Sequence, residues 1–209
     1  MCRSLRRDAR KSELAAELMD IMERIGINNL LAWSDTRAGT EGWTVFHCAT
    51  ATGQLAVLER LFDARESLKE DERIVREEPD SESLPSLLLL AAWHGQAEVL
   101  RLLFDRGLAF PGSEDAVRAL PAAARRGKFE ACVAMVECGV DPGKGPRWRR
   151  MASHEAHVGG FPALAKWLER AIVDVGKALE QARQWRDTLL EKRKKRRRLR
   201  RERGRKAPH

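Results

Sequence analysis

At 209 residues the chain supports one elongated domain, or one domain with an extension. Ala and Leu abound, six Trp stand against no Tyr, and β-branched runs are few, a helical composition. The net charge of +8 is lopsided: Glu191 to His209 holds twelve Lys or Arg against two Glu, which leaves the rest of the chain slightly acidic.

The longest apolar run, Leu87 to Trp93, is far too short to span a bilayer, so no membrane role is expected. Cys2, Cys48, Cys132 and Cys138 contain no C-x-x-C pair and point to a reducing, intracellular compartment. The N-terminal MCRSLRRDARK is Arg-rich, but Asp8, Glu13, Glu17 and Asp20 follow, and transit peptides avoid acids. Arg3, Arg6, Arg7, Arg10 and Lys11 form a small basic patch there. Residues 12–33 have the periodicity of an amphipathic helix, and residues 1–40 are expected to cap the N-terminal end.

From residue 41 the chain repeats itself. Gly53, Gly95, Gly127 and Gly159 serve as anchors. Eight and nine residues after each stand Leu61-Phe62, Leu103-Phe104, Met135-Val136 and Trp167-Leu168. Three or four residues before each stand Ala49, Ala91-Ala92, Ala123-Ala124 and Ala156. Each unit reads as a helix with a small-residue face, a glycine turn, and a second helix with an apolar stripe. The stripes keep i, i+3, i+4 spacing, as in Leu55, Leu58, Leu61, Phe62 and in Val99, Leu100, Leu103, Phe104. One such hairpin cannot cover its own apolar face, so neighbours must stack.

These residues resemble the ankyrin repeat. Gly42-Trp43-Thr44-Val45-Phe46-His47-Cys48-Ala49, followed by Gly53-Gln54, is similar to the family's G-x-T-P-L-H-x-A opening and its later G-H. Leu90 to Gln96 with Leu102 to Gly107 is similar to the middle and end of the repeat, and Gly139-Val140-Asp141 stands in the place of its G-A-D loop. Val45 and Leu87 replace the signature proline, and only the first unit keeps Thr and His. The resemblance covers residues 41–170 and implies an all-α solenoid of about four hairpins with a surface for protein partners. It makes His47 a hydrogen-bonding residue of a turn. A charged insertion at 64–83 is expected to form a protruding finger or a solvated loop.

Lys144, Arg147, Trp148, Arg149 and Arg150 place an indole among cations, a mixture that stacks bases and grips phosphate. After Pro162, well placed for a first helical turn, no proline occurs before the tail. Leu164, Leu168, Ala171, Val175, Ala178, Ala182, Trp185 and Leu189 keep heptad spacing. They predict one continuous helix over 164–201, whose first half caps the stack or pairs with another chain. Residues 171–209 are thus expected to be a C-terminal helix running into a basic tail. Its cations are Lys192, Arg193, Lys194, Lys195, Arg196, Arg197, Arg198, Arg200, Arg201, Arg203, Arg205 and Lys206. Such a run remains solvated and suits a polyanion, RNA above all, or an import receptor, or another acidic surface such as chromatin or a microtubule.

No catalytic constellation is visible. His154 and His157 lack further metal ligands nearby, and Pro142 to Gly145 lacks a phosphate-loop frame. Neither an enzyme, a cofactor nor a small-molecule substrate is expected. The leading expectation is a structural subunit of a ribonucleoprotein such as a ribosome, in cytoplasm or an organelle matrix. The alternatives are a nuclear adaptor with an import tail, or a subunit of another assembly with an acidic surface.

Overall fold

The computed structural model describes residues 43–67, 86–144 and 151–205, and all the elements within them are helices. In chain order these are α1 (Val45–Thr52), α2 (Leu55–Ser67), α3 (Leu87–His94), α4 (Ala97–Asp105) and α5 (Glu114–Arg125). Then follow α6 (Phe129–Glu137), α7 (Ala152–Val158), α8 (Pro162–Val173) and α9 (Val175–Arg205). The expected cap at 1–40 lies outside the described residues.

Consecutive helices pair through one kind of turn. Gly53, Gly95, Gly127 and Gly160 have φ of 72°, 80°, 65° and 81°, each two residues ahead of the second helix. The next residue's N–H reaches back to an alanine carbonyl every time. Gln54 donates to Ala49 at 2.9 Å, Gln96 to Ala91 at 2.9 Å, Lys128 to Ala123 at 3.0 Å and Phe161 to Ala156 at 2.8 Å. This is the six-to-one bond of a Schellman turn, which satisfies a carbonyl the helix end would otherwise orphan.

The fourth anchor therefore moves by one residue, from Gly159 to Gly160. Gly159 keeps a helical φ of −72°. It is small for a different reason: a Cβ there would collide with the Arg125 carbonyl, where the end of α7 crosses the end of α5.

The apolar positions repeat with the turns. Ala49, Ala91, Ala123 and Ala156 are buried, as are Leu61, Leu103, Met135 and Leu168, none more than 2% exposed. Fully burying a Leu or Met contributes roughly 1.5–3 kcal/mol. The first helices lie side by side in the order α1, α3, α5, α7, and α4 lies on α6. Alanine on these faces is what permits the close approach. Each turn also covers its predecessor: the side chains of Gln96, Lys128 and Phe161 lie over Gly53, Gly95 and Gly127. Gln96 adds a bond from Nε2 to the Ala51 carbonyl at 2.9 Å. Ion pairs tie adjacent hairpins at their other end, with Arg106 2.6 Å from Asp63 and Arg101 2.7 Å from Glu137.

Two further expectations need correction. The insertion expected from Ala64 as a finger or loop has its first four residues in α2, which continues to Ser67 and places Glu66 3.3 Å from Arg106; the remainder, 68–83, lies outside the described residues. The continuous C-terminal helix is broken at Asp174, where φ −149° and ψ 94° are extended. The Asp174 carboxylate accepts the Lys177 N–H at 3.0 Å and so starts α9 afresh. The chain then folds back along α8, which buries Ala178 and Ala182. The buried Trp167 indole N–H donates to the Ala178 carbonyl at 2.8 Å. Heptad spacing held because both helices need an apolar stripe, and the stripe belongs to a hairpin.

Candidate nucleic-acid interface

The basic end begins with how α9 is held. Trp185 packs on Phe129 with ring centroids 5.6 Å apart, and Phe129 meets Trp167 edge-on at 5.3 Å. Arg186 pairs with Glu130 at 3.0 Å. Both anchors sit on the first turn of α6, so α9 leaves the body beside the turn formed by Gly127 and Lys128. From Asp187 onward every described side chain is exposed, Leu189 and Leu190 included.

Lys192, Arg193, Lys194, Lys195, Arg196 and Arg198 are all exposed on this extension. Arg197, Arg200, Arg201, Arg203 and Arg205 lie on the helical backbone of α9, with side chains outside the described residues, and Lys206 lies outside them altogether. The α9 backbone runs 31 residues, about 46 Å at 1.5 Å per residue. Four consecutive cations from Lys192, stepping 100° each, leave no neutral face.

Two electrostatic effects oppose each other here. Cations at a helix C-terminus meet the negative end of the macrodipole, worth about 0.3–1 kcal/mol. Like charges four apart, such as Lys192 with Arg196, cost roughly 0.2–0.5 kcal/mol per pair. With several such pairs the balance is unfavourable until a counter-charge arrives. One such counter-charge is intramolecular: Glu191 lies 2.8 Å from Lys194, and that hydrogen bond and charge hold its ammonium above the usual lysine range.

Of the second predicted patch the structure describes Lys144 alone. Lys144 is exposed at the end of the Asp141 turn, whose Gly143 N–H donates to the Asp141 carboxylate at 2.8 Å. That turn follows the C-terminal end of α6, whereas α9 is anchored at its first turn. Arg147, Trp148, Arg149 and Arg150 lie outside the described residues.

The sequence reading passed over a third group. Trp93, 43% exposed, carries the Arg126 guanidinium over its ring at 4.3 Å from the centroid. Lys128 lies alongside over Gly95, and Arg125 is exposed next to it. The field is positive: burial chiefly, then the charges of Arg126 and Lys128, push the His94 imidazole below its ordinary value. Repeat phase was the available signal, since Trp93 stands two residues before one turn glycine and Arg126 one residue before the next.

The remaining chemistry-bearing residues have quiet surroundings. His47 is buried, with Nδ1 accepting the Thr44 backbone N–H at 3.2 Å and lying 2.8 Å from the Thr44 hydroxyl. Burial pushes the Cys132 thiol up to about 12, so it is an inert apolar group, while Cys138 is only half-buried. His157 lies 3.7 Å from Glu169. Among the described residues no three His, Cys, Asp or Glu are grouped to hold a metal ion, and no helix is long and apolar enough to cross a membrane.

Comparison of the chain with protein-family models, curated proteins and solved structures found no match.

Proposed function

We propose that this chain is a non-enzymatic interaction protein of a large, ribosome-like ribonucleoprotein. Its four hairpins act as an ankyrin-like repeat solenoid that contacts neighbouring proteins, and the basic end of α9 contacts RNA. The observation that carries the reading is the change along α9 at Asp187. Before it, Trp185 and Arg186 fasten the helix to α6; after it, the described cations are exposed and close together. Phosphates would relieve their repulsion and release counterions, which favours association irrespective of RNA sequence.

Cosedimentation on a sucrose gradient, with and without RNase, tests it. The protein is expected in fast-sedimenting particles, and in light fractions after RNase. Fast sedimentation that survives complete RNA digestion rejects RNA contact as the basis of assembly. It would favour an adaptor held by a protein partner, with the basic run serving as an import signal.

A further inference from the structure

The extension of α9 is not the molecule's only meeting of cations and exposed surface. At the turns of the second and third hairpins, the Arg126 guanidinium carbon lies over the Trp93 ring, 4.3 Å from its centroid, with Lys128 and Arg125 on the adjoining turn. Cation–π attraction favours this placement of the guanidinium against the indole before any ligand arrives. Exposed aromatics and guanidinium planes are the surfaces on which unpaired bases stack. Among the described residues, Arg125 pairs with Glu155 at 3.6 Å, and Arg126 and Lys128 form no ion pair.

Position makes the group more than a surface accident. Lys128 immediately precedes Phe129 and Glu130, the residues that hold Trp185 and Arg186 of α9. The cationic extension therefore departs from the edge of this same turn face. A single strand whose phosphates follow the extension's cations toward the body would meet Lys128, then Arg126 and Trp93.

We propose that Trp93, Arg126 and Lys128, with Arg125 at the margin, form a second contact for single-stranded RNA, stacking one base and holding adjacent phosphates. The inference rests on the preceding section in one respect, that the polyanion is RNA. It adds the strandedness: an A-form duplex keeps its bases stacked inside and has none to lend to Trp93. A duplex can use the phosphate contacts alone.

The test measures binding of the full chain to a fluorescein-labelled 12-nucleotide oligo(U), a 12-base-pair RNA duplex, and poly-glutamate. Trp93→Leu is expected to weaken oligo(U) binding about tenfold or more, the loss of one stacked base, with the salt slope unchanged. Its duplex binding is expected to remain within about twofold. The double variant Arg126→Gln/Lys128→Gln is expected to lower the slope of log K against log salt by about 1.4, for two phosphate contacts on a single strand. Melting curves accompany each variant; if Trp93→Leu does not fold, the double variant decides.

The outcomes separate the two proposals. If the turn-face variants keep wild-type affinity while deletion of 191–209 abolishes it, the second contact is wrong and the extension stands. If the deletion keeps full affinity while the turn-face variants lose it, the extension is wrong and the second contact stands. Equal losses on oligo(U) and duplex for Trp93→Leu overturn the stacking role. Capture of poly-glutamate without oligo(U) assigns the face to an acidic protein instead.

Discussion

Between Val45 and Val173 nearly every helix contributes side chains to one continuous core, with Leu58, Leu100, Met135 and Trp167 all buried. From Asp187 to Arg196 the same kind of secondary structure leaves every side chain exposed. Helices in the body exist because their stripes are covered, since short helices are marginal in water. α4, for example, has nine residues, far fewer than an isolated helix needs. The end of α9 has local propensity and the dipole on its side, and its own charge against it. One region is specified chiefly by packing, with salt reaching only the ion pairs between its hairpins. The other is specified by charge, and its state depends on the counter-ion it meets.

Breaking the packed region gives the largest expected effect. Leu103 is 2% exposed and stands at the repeated position eight residues past its turn glycine. Leu103→Ala is expected to destabilise by about 2–5 kcal/mol in urea titration, the sum of lost transfer energy and a residual cavity. A loss under half a kcal/mol would mean this residue is not where the core is held. Ala91 probes the same packing from the opposite direction. It is fully buried where α3 lies between α1 and α5. Ala91→Leu should overpack that contact and cost roughly 1–3 kcal/mol; an unchanged melting temperature would contradict the close helix approach.

The legibility of these two regions differs for a physical reason. Alanine and leucine phase around Gly53, Gly95 and Gly127 could be read because burial and a left-handed turn restrict the residue types allowed. The break at Asp174 could not. Both α8 and α9 carry apolar residues at heptad spacing, so periodicity alone cannot distinguish one long helix from two that fold together. The extended Asp174 backbone and the Trp167 bond to Ala178 decide it, and both are tertiary facts. The misplaced anchor at Gly159 has the same root. Two adjacent glycines serve two purposes, a close crossing and a turn, and composition does not say which serves which. In the candidate interface, the tail was plain from charge. Trp93 and Arg126 meet across hairpins, and no local pattern joins them.

Those glycines supply the intermediate test. Gly127 and Gly160 both adopt positive φ, at 65° and 81°. A Cβ at Gly127 would run into the Phe161 ring, whereas nothing lies within 4 Å of one at Gly160. Gly160→Ala is expected to cost about 1–2 kcal/mol, from backbone strain alone. Gly127→Ala should cost measurably more, because the ring must also move. Equal thermal shifts for the two would mean that Phe161 does not seat on the preceding turn.

Pressing on the charged region should have the smallest effect on stability and the sharpest effect on binding. Deletion of 191–209 removes twelve cations and two Glu, together with side chains that are exposed wherever they are described. The melting transition of the hairpins is expected to remain within about half a kcal/mol of full length, as for surface changes generally. If about six of the cations sit on phosphates, the intact chain's log K falls with log salt at a slope near −4 to −5. The truncated chain should lose most of that slope, retaining only the part the turn face supplies. Permuting Lys and Arg within the tail should change little, since phosphate contacts position a protein without reading sequence. A truncation that unfolds the hairpins would place the basic end within the fold. Anchorage by Trp185 and Arg186 argues otherwise, because both contacts are complete before the deletion begins.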